Sequence, residues 1–332
     1  MRICRFILGG SCVLALLLVA PASAFAAGFQ NSGQSATATG MAYGGVANPD
    51  EPNASFYNPA LMGFQDGYRI YVGDTLIMPK TTFQPEGGGD EVATERDFFP
   101  PPHVHLGAHN IADSGFSAGV GLSFPYGLGI EWPEDWVGRA NIQRQSLRTA
   151  NINPNIAYRL PDLDLSFAVG AQIMASAIEY ERSIPINEDE DEFVDAELGG
   201  DGVGFGGNAA VMYRPTDELT LGAQYRSRAK VDYEGSVHFE GEEDTAFYQT
   251  FRDNPATASI TMPDLIAVGG GYQVLDNLFL HLEVDYTLWE TYDEINADID
   301  TGDDEDAIDE ITIVNDWENA FAFRLGGQYD VT

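Results

Sequence analysis

Residues 114–125 read SGFSAGVGLSFP, and their alternation decides the fold. The even positions are Phe116, Ala118, Val120, Leu122 and Phe124; the odd ones are Gly115, Ser117, Gly119, Gly121 and Ser123. Successive side chains of a strand point to opposite faces, so one face is apolar and the other small and polar. The same period of two recurs downstream. In 218–236, Leu219, Leu221, Ala223, Tyr225 and Val231 share one side, with Thr220, Gln224, Arg226, Arg228 and Lys230 on the other. In 277–296, Leu278, Leu280, Leu282, Val284, Tyr286 and Leu288 oppose His281, Glu283 and Asp285. In 310–331, Phe321, Phe323, Leu325 and Tyr329 oppose Arg324 and Gln328. A soluble sandwich also alternates, but its strands usually last only about 5–6 residues. These runs last about 10–20 residues, long enough to cross a bilayer at a tilt. The pattern predicts an all-β protein, a transmembrane antiparallel β-barrel.

Ten strands are expected, at 67–79, 101–111, 114–125, 145–160, 163–183, 202–214, 218–236, 256–274, 277–296 and 310–331. Tight turns such as Pro161-Asp162 and Pro215-Thr216-Asp217 alternate with long loops at 80–100, 126–144, 184–201, 237–255 and 297–309. Short turns on one side and long loops on the other is the arrangement of outer-membrane barrels. The tenth strand stops at Asp330-Val331-Thr332 without a terminal aromatic residue, so further strands are expected beyond it.

The N-terminus directs export. Arg2 and Arg5, the apolar run 6–19 and Ala24-Phe25-Ala26 form a signal peptide over 1–26, with cleavage after Ala24 the close rival. Cys4 and Cys12, the only cysteines, lie within it, so the mature chain uses neither disulfides nor thiol chemistry. Removing Arg2 and Arg5 takes the formal net charge from −36 to −38, which argues against nucleic acid as a partner. No later apolar run approaches the roughly 18 residues a helical span needs. Between signal and first strand lies 27–66, rich in Gly, Ala, Ser and Asn, without periodicity. It is expected to be a plug, or hatch, enclosed by the barrel of 67–332, with Asn58, Pro59 and Ala60 where it joins the wall and Pro59 fixing the backbone. Deleting 28–60 should leave a folded barrel that leaks.

The candidate chemistry is sparse. Arg226, Arg228 and Lys230 form a basic row expected to face the lumen, offsetting inward acids, anchoring the plug or guiding anions. His103, His105 and His109 share a face, but no acidic or Cys partner lies within that strand, so no metal is expected. No nucleophile-and-base motif is recognisable, so neither an enzyme nor a cofactor is expected. The acidic stretches 188–192, 240–244 and 298–310 read mainly as solvated external loops. Asp298-x-Asp300-x-Gly302 places its glycine one position too early for a calcium loop. Gly119 and Gly121 weaken the third strand and Pro125 removes a ladder donor. They make a kink, or room for the plug, or both.

Several motifs together resemble the FadL/OmpP1/TodX family of outer-membrane long-chain fatty acid and hydrocarbon transporters. They are Ala27-Gly28-Phe29-Gln30, Asn58-Pro59-Ala60-Leu61, Phe124-Pro125-Tyr126-Gly127-Leu128, Tyr225-Arg226-Ser227 through Lys230-Val231-Asp232, and Met262-Pro263-Asp264. The resemblance spans the mature chain. It implies a monomeric 14-stranded barrel with an N-terminal hatch, ten strands of it here. It also implies ligand capture among external loops, passage beside the hatch, and lateral exit at a gate around Gly119, Gly121, Pro125 and Gly127. A family cation for the ligand carboxylate matches Arg182 within Tyr180-Glu181-Arg182. A second matches Asn296, which leaves room for neutral hydrocarbons. The partners implied are a hydrophobic small molecule and the lipid and lipopolysaccharide of a Gram-negative outer membrane. The alternative is an open diffusion porin or a structural barrel.

Overall fold

The computed structural model describes residues 28–185, 193–240, 253–301 and 310–331. The signal peptide, the 188–192 run and most of the other two acidic stretches lie outside them. The strands are β1 (Gly67–Asp74), β2 (Thr82–Phe83), β3 (Val92–Ala93), β4 (Pro102–His109), β5 (Phe116–Ser123), β6 (Gly127–Glu131), β7 (Arg144–Leu160), β8 (Leu165–Pro185) and β9 (Phe193–Tyr213). They continue with β10 (Leu219–Arg226), β11 (Ala229–Glu240), β12 (Asn254–Met262), β13 (Leu265–Leu275), β14 (Leu278–Thr287), β15 (Glu294–Ile299), β16 (Glu310–Val314) and β17 (Ala320–Tyr329).

All ten expected strands are present, and four are broken in two: β10 with β11, β12 with β13, β14 with β15, and β16 with β17; strand also forms where loops were expected, as β6 within 126–144 and as the first part of β9 within 184–201. The wall runs β1-β4-β5-β7-β8-β9-β10-β13-β14-β17, antiparallel throughout, within one 15-stranded sheet. A closed barrel needs its first and last strands to pair. Among the described residues β1 and β17 are unpaired ends, so the closed barrel expected from the alternation is here an open sheet.

The sheet is polar on the face that is covered and apolar on the face that is not. Asn151, Asn153 and Asn155 of β7 are buried, as are Gln224 and Arg226 of β10 and His281, Glu283 and Asp285 of β14. On the opposite face Phe167, Val169, Val203, Phe205, Leu282 and Phe323 are exposed. Exposed apolar area of this extent is costly in water and favourable against lipid. No helix among the described residues is long and apolar enough to cross a membrane.

Residues 28–65 cover the polar face. They carry two short helices, α1 (Ala36–Gly40) and α2 (Ala54–Tyr57), then a 3-10 turn over Pro59–Phe64. Ser35 caps α1 by accepting from the Ala38 N–H at 3.0 Å. Asn58 is the junction. Its Oδ1 accepts from Ala60 N–H at 2.9 Å, while its Nδ2 donates to Val46 O at 2.7 Å and to Val211 O of β9 at 3.1 Å. Pro59 at the first position of the turn has no N–H to satisfy. Gly119 and Gly121 face this segment: a methyl group on either would stand 2.7 Å from Met62 Sδ or Ser55 Cβ. These two glycines give the covering segment room, and the break in the strand lies beyond them.

Glu51 is buried inside the segment with Oε1 accepting from the Asn53 N–H at 2.9 Å. Burial pushes its carboxyl from the ordinary 4.5 up to about 7. The folded segment therefore holds a proton that the unfolded chain releases. Its stabilisation is complete below about pH 4.5 and lost as pH rises through 7, by at most about 3 kcal/mol. Amide exchange across 51–57, corrected for intrinsic rates, should quicken between about pH 5 and pH 8. Glu51→Gln should flatten that dependence.

Candidate functional site

The third expected strand ends at Phe124-Pro125-Tyr126, and the chain resumes as β6 beyond it. Ser123 of β5 pairs with Asn151 of β7, whereas Gly127 of β6 pairs with Arg148, so three residues on one strand oppose two on the other. This is a one-residue bulge, and Pro125 supplies no N–H to the ladder. On the other flank the wall is interrupted. β4 begins at Pro102, preceded by Pro100 and Pro101, and β6 pairs with β7 alone. Three consecutive prolines cannot donate to a neighbouring strand. A triple proline ahead of the second strand was the signal for this opening.

The N-terminal residues take up the backbone groups that the break frees. Asn31 N–H donates to Pro125 O at 2.7 Å and Gly127 N–H to Phe29 O at 2.9 Å. Gln34 donates from Nε2 to Phe124 O at 3.0 Å and accepts from Phe124 N–H at 3.1 Å. Beside this junction lies a cavity of ≈ 410 Å³, lined mainly by apolar groups such as Ile77, Phe99, Pro101, Phe124, Leu128 and Ile130. Pro125 and Gly127 of the expected gate thus sit at the opening, with Gly127 on the cavity wall and free of close neighbours on its Cα.

Phe29 is the centre of an aromatic cluster. Its ring lies 4.9 Å from Trp289, 5.0 Å from Tyr292, 5.5 Å from Trp317 and 6.0 Å from Tyr126, mostly edge to face. Each partner comes from a strand break: Tyr126 between β5 and β6, Trp289 and Tyr292 between β14 and β15, Trp317 between β16 and β17. Breaks release side chains from the strict in-and-out alternation, so three of them converge on one point. The cluster continues into Met174, Val231, Tyr233, Ile260 and Ile295. The sequence showed these breaks only as lapses in periodicity.

Arg226 lies beneath, buried, with its guanidinium donating to Phe56 O at 2.8 Å and stacked 4.4 Å over the Phe56 ring. Gln224 Nε2 donates to the same carbonyl at 3.1 Å. The expected lumen row stops there. Arg226 pairs with Asn208 of β9, but Lys230 pairs with Phe205, so residues 227–229 oppose only 206–207. That extra residue exchanges the two faces. Arg228 and Lys230 therefore point outward, paired with Asp264 at 2.7 Å and Asp232 at 2.8 Å, and Val231 is buried in their place.

A protein-family model described as outer membrane protein transport protein (OMPP1/FadL/TodX) matches residues 17–332. The chain belongs to this family. It is 25% identical over 317 residues to the long-chain fatty acid transport protein of Escherichia coli O6:H1, covering 84% of this chain and 70% of that one. It is 26% identical over 342 residues to the 47 kDa outer membrane protein of Pasteurella multocida, covering 95% and 77%. Among solved structures, a Pseudomonas aeruginosa FadL homologue superposes with a TM-score of 0.77 at 19% identity, covering 92% and 78%. The Ralstonia pickettii toluene transporter TbuX gives 0.73 at 15%, covering 88% and 81%. These structural likenesses establish the fold. Family membership places this OMPP1/FadL/TodX protein in the outer membrane of a Gram-negative bacterium.

The two positions matched to the family's carboxylate site lie on β8 and β15, strands that do not pair with each other. Arg182 is half-buried near the Pro185 end of β8, opposite Ala196. On β15 the buried row is Ile295, Ala297 and Ile299, so Asn296 faces the other way, donating to Glu294 Oε1 at 3.0 Å and accepting from Thr312 Oγ1 at 2.9 Å. The three histidines engage separate partners: His103 with Tyr71 OH at 3.3 Å, His105 with Ser55 Oγ at 2.8 Å, and His109 Nδ1 with Met62 O at 3.3 Å. Among the described residues no three His, Cys, Asp or Glu side chains gather on one point.

Proposed function

We propose that this protein takes up hydrophobic small molecules, long-chain fatty acids or aromatic and aliphatic hydrocarbons, across the outer membrane. Ligand captured among the external loops passes beside the segment 28–65, which serves as the hatch, and leaves sideways into the lipid at the break around Pro125 and Gly127. Arg182, at the outer end of its strand, meets an incoming carboxylate first. The protein works as a monomer surrounded by outer-membrane lipid and lipopolysaccharide. The observation that carries this reading is the apolar cavity at an interrupted wall, held beside Phe29 of the covering segment.

The test has two arms. In planar bilayers the hatched transporter should show little steady conductance, and large steady pores would establish the open porin instead. A deletion strain should lose growth on oleate, or on toluene or an alkane, tested separately. Undiminished growth on all three would leave a structural role.

A further inference from the structure

Among the described residues that line the cavity at the wall break, Arg148 alone carries charge. It is exposed on the outer face of β7, in a row otherwise made of Ala150, Ile152, Pro154, Ile156 and Tyr158. Ten residues at about 3.3 Å each, on a strand tilted by about 40°, span about 25 Å, the height of an outer-membrane apolar band. Neighbouring strands agree on where that band ends. Arg148 pairs with Ala177, and Ala177 with Asp201; below this level β8 presents Phe167, Val169 and Ile173, and β9 presents Val203, Phe205 and Tyr213. Arg148 thus stands where hydrocarbon gives way to headgroups, at the rim of the cavity.

We infer that Arg148 holds the carboxylate of a departing long-chain fatty acid while the acyl chain lies in the cavity. This rests on the lateral-exit reading and adds its selectivity. A neutral hydrocarbon slides from cavity to lipid with no polar group to place. A fatty acid has a carboxylate that is costly to carry through hydrocarbon. A guanidinium at the rim keeps that group at headgroup level by bidentate hydrogen bonding, and the tail enters the outer leaflet first. Arg148 is then a positioning residue that favours acids over hydrocarbons.

The experiment uses the full chain in phospholipid vesicles and a long-chain fatty acid bearing a photoreactive diazirine next to its carboxylate, with the matched long-chain alcohol as control. Labelling by the acid should fall on 127–130 and 147–149. In Arg148→Gln it should drop by about tenfold, the loss of one charge-assisted hydrogen-bonded pair. Arg148→Lys should recover part of it, and the alcohol should label wild type and variant alike. Equal losses for acid and alcohol would overturn the assignment, as would acid labelling confined to 28–65. A loss seen only when lipopolysaccharide is added would overturn it too, making Arg148 a lipid-phosphate contact. An absence of labelling anywhere on the chain would overturn the transport reading itself.

Discussion

Glu283→Ala detaches the covering segment from the wall. Glu283 lies on β14, only 3% exposed, and its Oε2 accepts from the N–H groups of Gly45 and Val46 at 2.9 and 2.8 Å. The neighbouring His281 accepts from Ala47 N–H at 3.4 Å. Asp285, two residues on, holds Arg324 at 2.7 Å, and Arg324 in turn donates to Ala42 O at 3.2 Å. The N–H groups of 45–47 thus all find their acceptors on β14, while Ala42 O is held from β17 and Ala47 O from Thr220 of β10. Alanine leaves two buried N–H groups without an acceptor, each worth about 1–3 kcal/mol, so the loss should reach about 3–5 kcal/mol. Glutamine keeps an acceptor oxygen and should cost about 1 kcal/mol. Hydrogen exchange measures it: amides of 44–47 should exchange faster by two or more orders of magnitude in the alanine variant, while β7 and β8 stay protected. Unchanged exchange at 44–47 would remove Glu283 from the anchoring role.

The second large effect is expected from Phe29→Ala. Phe29 is 6% exposed, ringed by four aromatic side chains, and its carbonyl accepts the Gly127 N–H freed by the strand break. Removing a buried phenyl ring costs about 3–5 kcal/mol, because the lost contacts leave a void that rigid neighbours do not close. Strand breaks hold the partner rings in place, so relaxation is limited. Residues 29–34 should leave the Phe124–Gly127 backbone, and water should enter beside Trp289 and Trp317. Tryptophan emission should shift to the red, and exchange at 124–127 should accelerate. Retention of a fluorescent fatty acid should fall with it. Emission identical to wild type would show that the cluster stands without Phe29.

These two variants probe contacts of different legibility. The partner of Glu283 could not be read from sequence, since Gly45 and Val46 lie more than 230 residues away and neither carries a side chain that announces a carboxylate. Phe29 stood inside a recognisable motif, but its aromatic neighbours sit in strand breaks that look like imperfect periodicity. Arg228 and Lys230 were misplaced for a related reason. A bulge adds one residue without altering composition, yet it exchanges the faces of everything beyond it. Gly119 and Gly121 were legible as close-approach positions, although what approaches them, Met62 and Ser55, required the fold.

By itself the sequence determined the strands, the sidedness of the wall and the family. Each follows from local order: alternation sets which face is apolar, turn residues set where strands end, and an ordered set of short motifs carries the family resemblance. The tertiary structure decided the phase of each strand beyond its break, the convergence of three breaks on Phe29, and the cavity beside the triple proline. Those depend on how strands align with one another across the sheet, and a shift of one residue there is invisible along the chain.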